Sequence, residues 1–114
     1  MGTTPEQTPA APRAVLASFR PKPGQADALL AVVREHVPTL QRLGLATARA
    51  SLVMRAANGT VVEAFEWASP AAIDAAHHHP EVLAMWERFA AACDYTPLKD
   101  LAEVQHPFAE FEVL

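Results

Sequence analysis

"LATARASLVMRAANGTVVEAFEW", residues 45–67, sets two apolar-rich runs on either side of Asn58-Gly59. That dipeptide is the strongest short hairpin signal, because both central residues of a type I′ turn need a positive φ. With Asn58 and Gly59 as the two loop residues, Ala57 faces Thr60, Met54 opposes Glu63, Leu52 opposes Phe65 and Ala50 opposes Trp67. Directly opposed residues share a sheet face. One face is therefore expected to carry Ala46, Ala48, Ala50, Leu52, Met54, Glu63, Phe65 and Trp67, and the other Arg49, Ser51, Arg55 and Glu66. The first, mostly apolar, must meet helices.

Those helices lie on both sides of the hairpin. After Gly24, the positions Ala26, Leu30, Val33, Val37 and Leu40 recur at helical spacing, with Arg34, Glu35, Gln41 and Arg42 off the stripe and His36 flanking it. The pattern ends near Gly44, and Pro38 inside it predicts a kink. Downstream, Ser69 is positioned as an N-cap with Pro70 at the first helical position. Pro80 restarts a helix whose stripe is read as Leu83, Trp86, Phe89 or Ala90, and Cys93. "RAVLASFR" (13–20) reads as a first strand, and the alternating "FAEFEVL" (108–114) as a last one. The order is strand, helix, strand, strand, helix, strand, which predicts an α+β, ferredoxin-like βαββαβ domain with both helices on one face of a four-stranded antiparallel sheet. The other face, with Val53 and Val62 among its charges, is expected to pair with a second copy in a homodimer.

Composition narrows the function classes. The 114 residues, 51% apolar, suit one domain with one core. Nine Lys and Arg against thirteen Asp and Glu give a net charge of −4 with no basic stripe, so nucleic acid is not an expected partner. One cysteine, Cys93, excludes an internal disulfide, and a reducing, cytoplasmic setting is the expectation. Residues 1–12, rich in Pro and Thr, have neither the build of a secretory signal nor a myristoylation motif and are expected to form a disordered tail before a domain at 13–114. No run approaches the length of a membrane span, so no membrane partner is expected.

"FRPKPGQADALLAVV" entering the first helix, "FEWASPAAIDAAHHHPEV" crossing from the second hairpin strand into the next helix, and the closing "FAEFEVL" together resemble the antibiotic biosynthesis monooxygenase superfamily of dimeric α/β barrels. That superfamily includes quinol monooxygenases and heme-degrading relatives. The resemblance implies a homodimer whose sheets close into a barrel, and a ligand cavity in each subunit between sheet and helices. It also implies oxygenation of a small aromatic or quinol-like molecule without metal or other cofactor, the protein supplying a dry pocket and a proton acceptor. Two positions depart from the polyketide-oxidising members. Where they carry an Asn four residues before the strand-end Trp, this chain has Glu63, and where they carry a Tyr six after it, this chain has Ile73. A non-catalytic ligand-binding or stress-associated dimer is the alternative, and heme degradation with His77 as axial ligand a third.

The candidate residues follow. Three adjacent helical histidines point about 100° apart and cannot converge on one ion, so no metal site is expected. His77 lies over Ile73 and points inward, either as a packed side chain donating to a backbone carbonyl or as the proton acceptor, while His78 and His79 face water. Trp67, Phe65, Met54, Ile73 and Trp86 are the expected substrate-binding walls, and the small Ala46, Ala48 and Ala50 beneath the helices leave either a cavity or a tight helix approach. Glu63 is the anomaly: a carboxylate on the helix-facing side is costly unless it contacts substrate, reaches solvent or pairs with an Arg. His36 and His106 are read as structural or exposed. Cys93 is read as an inert core thiol.

Overall fold

A computed structural model describes residues 11–114, so the expected N-terminal tail lies for the most part outside the described residues. Five strands and three helices follow in the order β1 (Arg13–Pro21), α1 (Ala26–Arg42), β2 (Leu52–Arg55), β3 (Val61–Trp67), α2 (Pro70–Ala76), α3 (Pro80–Ala92), β4 (Cys93–Tyr95) and β5 (Glu112–Val113). The sheet order is β4-β1-β3-β2-β5, antiparallel throughout. Its first four strands give the expected ferredoxin-like arrangement. The fourth of them is not the C-terminal segment, however. It is the three-residue β4, paired to β1 at Phe19 and Arg20, whereas the C-terminal pair Glu112–Val113 adds a fifth strand on the opposite edge, beside Met54 and Arg55.

The hairpin register differs by one residue from the sequence reading. Asn58 does not take a positive φ; Gly59 alone does, at +92°. The Gly59 amide donates to the Ala56 carbonyl (2.9 Å), the Ala56 amide to the Thr60 carbonyl (2.8 Å), and the Thr60 amide to Asn58 Oδ1 (3.0 Å). This is a three-residue loop that closes on a glycine, and it moves every β2 side chain to the other face. Val53 now opposes Glu63, while Met54 opposes Val62 and Leu52 opposes Ala64. Upstream, Ala46 bridges Trp67, but Ala48 and Ala50 lie outside β2 and are exposed, so no alanine floor exists beneath the helices.

Each helix is set by local chemistry. Ser69 Oγ accepts the Ala72 amide at 3.0 Å, the expected cap of α2. α1 ends where Gly44 takes φ +76°, with the Leu45 amide donating to Leu40 O and the Gly44 amide to Gln41 O, a left-handed stop that satisfies the last carbonyls. α1 runs as one helix through Pro38, which sits on the exposed side where the carbonyl it deprives of a partner can meet water. Its buried stripe is Leu29, Val32, Val33, His36, Val37 and Leu40, and that of α3 is Val82, Met85, Phe89 and Ala92. Both pack on the β1 and β3 face that carries Phe19, Val61, Phe65 and Trp67. Leu83 and Trp86 are displaced from the sealed stripe to its edge, and Cys93 is buried at the start of β4 rather than in the helix. On the opposite face, Leu98, Leu101, Val104 and Phe111 cover Met54, Ala56 and Val62, leaving Leu16 and Leu52 exposed on either side of Ala64.

Candidate active site

Between the sheet and the helices lies a cavity of about 840 Å³, within the range of small-molecule sites. β1 contributes Val15, Ala17 and Phe19; β3 contributes Phe65 and Trp67; α2 and its end contribute Ile73 and His77; α3 contributes Trp86, Phe89 and Ala90. Among the described residues the lining is almost wholly apolar, Glu87 is its one formally charged member, and it contains no Lys or Arg. Phe65 and Trp67, two apart on β3, meet with tilted rings at 5.2 Å between centroids because alternate strand residues share a face. A flat aromatic guest therefore meets aromatic walls.

Of the residues singled out in the sequence, Phe65, Trp67, Ile73, His77 and Trp86 line this cavity together. Met54 does not: the one-residue register difference turns it to the far side of the sheet, against Val62. Glu63 faces the helices as expected, yet it is not on the cavity surface. It is 0% exposed, reaching neither solvent nor an arginine.

Glu63 instead meets His36, Oε1 to Nδ1, at 2.7 Å. His36 is 5% exposed and lines the cavity, its ring set edge-on between Phe65 (5.2 Å) and Phe89 (4.9 Å). The signal for it was present in the sequence: His36 stands four residues after Val32, three after Val33 and four before Leu40, on the buried stripe itself. A polar residue at a stripe position opposite a carboxylate on an inward-facing strand position is a pair.

The three adjacent histidines have three separate roles. The His77 ring nitrogen Nδ1 lies 2.8 Å from the Ile73 carbonyl and donates to it, and the ring stands edge-on to Trp86 at 5.0 Å on the exposed mouth of the cavity. His79 caps α3, its Nδ1 accepting the Glu81 amide at 3.2 Å, and is half-buried rather than facing water. His78 is exposed. Tyr95 also lines the mouth, mostly exposed, its hydroxyl held above the ordinary phenol range first by partial desolvation and then by Cys93. Burial likewise lifts the Cys93 thiol to about 11, with the Asp94 charge adding to it, which keeps it in the unreactive thiol form.

The family model for antibiotic biosynthesis monooxygenases matches residues 12–88, from the start of β1 into α3. The chain belongs to that family. In this monooxygenase-family chain the match spans β1, β3, α1 and α2, the elements that carry most of the cavity, and ends one residue before Phe89. No curated protein and no solved structure matches it. Among the described residues no helix is long and apolar enough to cross a membrane.

Proposed function

We propose that this protein binds a flat, hydroxylated aromatic or quinol-like molecule in the cavity and oxygenates it with O2, without a resident cofactor. The observation that carries this reading is an apolar cavity of about 840 Å³ walled by Trp67, Trp86 and Phe65, with imidazoles on its surface and no cation. Such walls favour a planar ring through apolar burial and offset or edge contacts. The absence of Lys and Arg from the lining disfavours carboxylated or phosphorylated molecules, and heme, whose two propionates need partners, fits it poorly.

The family's description supports the reaction type. A hydroxyl proton passes to an imidazole, and the electron-rich anion left behind transfers one electron to O2. The two radicals combine at a ring carbon, and the O–O bond then breaks with release of water. A phenolic C–OH and a ring C–H together with O2 thereby become two carbonyls and H2O, so the protein's part is to orient, to exclude water and to hold a proton.

The proposed molecule is a homodimer. Leu16, 55% exposed, and Leu52, 46% exposed, flank Ala64 in one row across β1, β3 and β2 on the face away from the helices. An open sheet row of this kind supports pairing with a second copy. The buried, unreactive Cys93 suits a reducing, cytoplasmic setting.

Oxygen uptake with a panel of naphthoquinols and polycyclic phenols under metal-free conditions tests the reaction. The expected result is saturable uptake, lost in Ala90→Trp, which fills the mouth while leaving both cavity imidazoles in place. Binding of the same compounds without uptake would favour the non-catalytic alternative, to which Glu63 and Ile73 at the departed family positions lend support.

A further inference from the structure

Two imidazoles reach the cavity, and they are not equivalent. We infer that His36, positioned by Glu63, is the proton acceptor of the cavity, and that the group it serves is a phenolic or enolic hydroxyl held as its anion. The inference rests on the proposed reading of the cavity as an aromatic-binding site.

Glu63 argues for a task beyond packing. Its Oε1 meets His36, but its Oε2 is buried with no hydrogen-bond partner among the described residues. A buried carboxylate left half satisfied is costly, and an apolar residue of similar volume would fill the same space at less cost. What the carboxylate does supply is a fixed ring. In this proposal Glu63 is the carboxylate and accepts the Nδ1–H across the 2.7 Å contact, which leaves Nε2 with its lone pair. Among the described residues no group hydrogen-bonds Nε2, and this nitrogen is not sealed from solvent as Glu63 Oε2 is, so the remaining surface of this cavity-lining residue includes it. Phe65 and Phe89, edge-on to either side, hold the ring against rotation.

The proton step is balanced within the site. The substrate O–H bond breaks, an N–H bond forms at His36 Nε2, and Glu63 keeps its charge against the imidazolium. That cation then lies between two anions, the carboxylate behind it and the phenolate in front, away from water where such attractions are strong. His77 lacks this arrangement. Its Nδ1 partner is the neutral Ile73 carbonyl, and its ring is exposed at the mouth, as are Glu87 and Tyr95, the other proton carriers of the lining. His36 is thus the catalytic residue and Glu63 a positioning residue.

The test reads ionisation directly. Para-nitrophenol, whose anion absorbs at longer wavelength than its neutral form, is bound to the intact protein and its ionised fraction is measured across pH. The expected result is a bound ionisation constant raised about tenfold or more, one pKa unit. His36→Gln, whose amide still reaches Glu63, should bind the probe with that gain abolished. Glu63→Gln, which keeps a hydrogen bond and removes the charge, should retain about half the gain or less, as expected if the carboxylate's charge stabilises the imidazolium. His77→Gln should leave it unchanged. If the gain survives both His36→Gln and Glu63→Gln, or disappears only in His77→Gln, the assignment is overturned while the cavity reading stands. Binding to wild type without any gain overturns the assignment alone, and failure of the wild type to bind para-nitrophenol and the naphthoquinols overturns the cavity reading and the assignment with it.

Discussion

His36 and Glu63 join α1 to β3 through one 2.7 Å hydrogen bond, the carboxylate wholly buried and the imidazole showing its remaining surface to an apolar cavity. A pair so placed has a stability signature that differs from that of a packed apolar contact. Removing the imidazole alone leaves a buried carboxylate without a partner, so His36→Ala is expected to destabilise the fold by about 3–5 kcal/mol. Replacing both members by apolar residues, His36→Leu with Glu63→Leu, removes the stranded charge as well, and this double variant should be more stable than His36→Ala. Urea unfolding of the single and double variants checks this; additive losses would mean that the two side chains are not energetically coupled.

The exposed row Leu16–Ala64–Leu52 makes a prediction about assembly. In a two-fold interface each residue is used twice, so one charge introduced per chain places two at the contact. Leu16→Glu and Leu52→Glu should therefore each weaken the proposed dimer, and the pair should yield monomer, as read by sedimentation velocity. Both positions are already exposed in the single chain, so the variants should retain their secondary structure. A wild type that sediments as a monomer over a wide concentration range would contradict the dimer.

Arg88 clamps Glu35 through two hydrogen bonds, 2.7 and 2.8 Å, tying α3 to α1 across the solvent side. Those hydrogen bonds first, and the Arg88 charge after them, hold the Glu35 carboxyl below its ordinary value of 4.5. A carboxyl whose folded value is depressed stabilises the fold above its unfolded value and loses that contribution as the pH falls through the folded one. Wild type should accordingly melt slightly above Glu35→Gln from neutral pH down to the mid-fours, and the two melting temperatures should converge at lower pH. Both partners are solvent-exposed, so added salt should shrink the difference at neutral pH. A difference that persisted undiminished in acid would exclude the ion pair as its source.

The fold was legible where local chemistry and periodicity agree. Ser69 and Pro70 announce α2, and the alternation Glu63, Phe65, Trp67 correctly turns all three side chains toward the helices. The register of β2 was not legible, because Asn58-Gly59 fits both a two-residue loop with two positive φ angles and a three-residue loop with one. Only the burial of Ala56 and Val62 against Leu101, a contact distant in sequence, separates them. β4 was hidden because "AACDY" continues the apolar spacing of α3 without a break, and its strand character comes from pairing with Phe19 and Arg20. The inward placement of Trp67, Phe65, Ile73, His77 and Trp86 followed from helical and strand spacing, while the cavity that they line was what the family resemblance implied. His36 was passed over because its polarity outweighed its place on the stripe, and its partner became evident only when Glu63 proved to have no route to water.

The most direct test of the central claim is nitrogen-15 NMR of the histidine rings, recorded before and after addition of a hydroxynaphthoquinone. The predicted result is that the Nε2 resonance of His36 moves from the unprotonated to the protonated region on binding, while the His77 resonances keep their pattern of a donating Nδ1. An unchanged His36 beside a His77 that gains the proton would contradict the account.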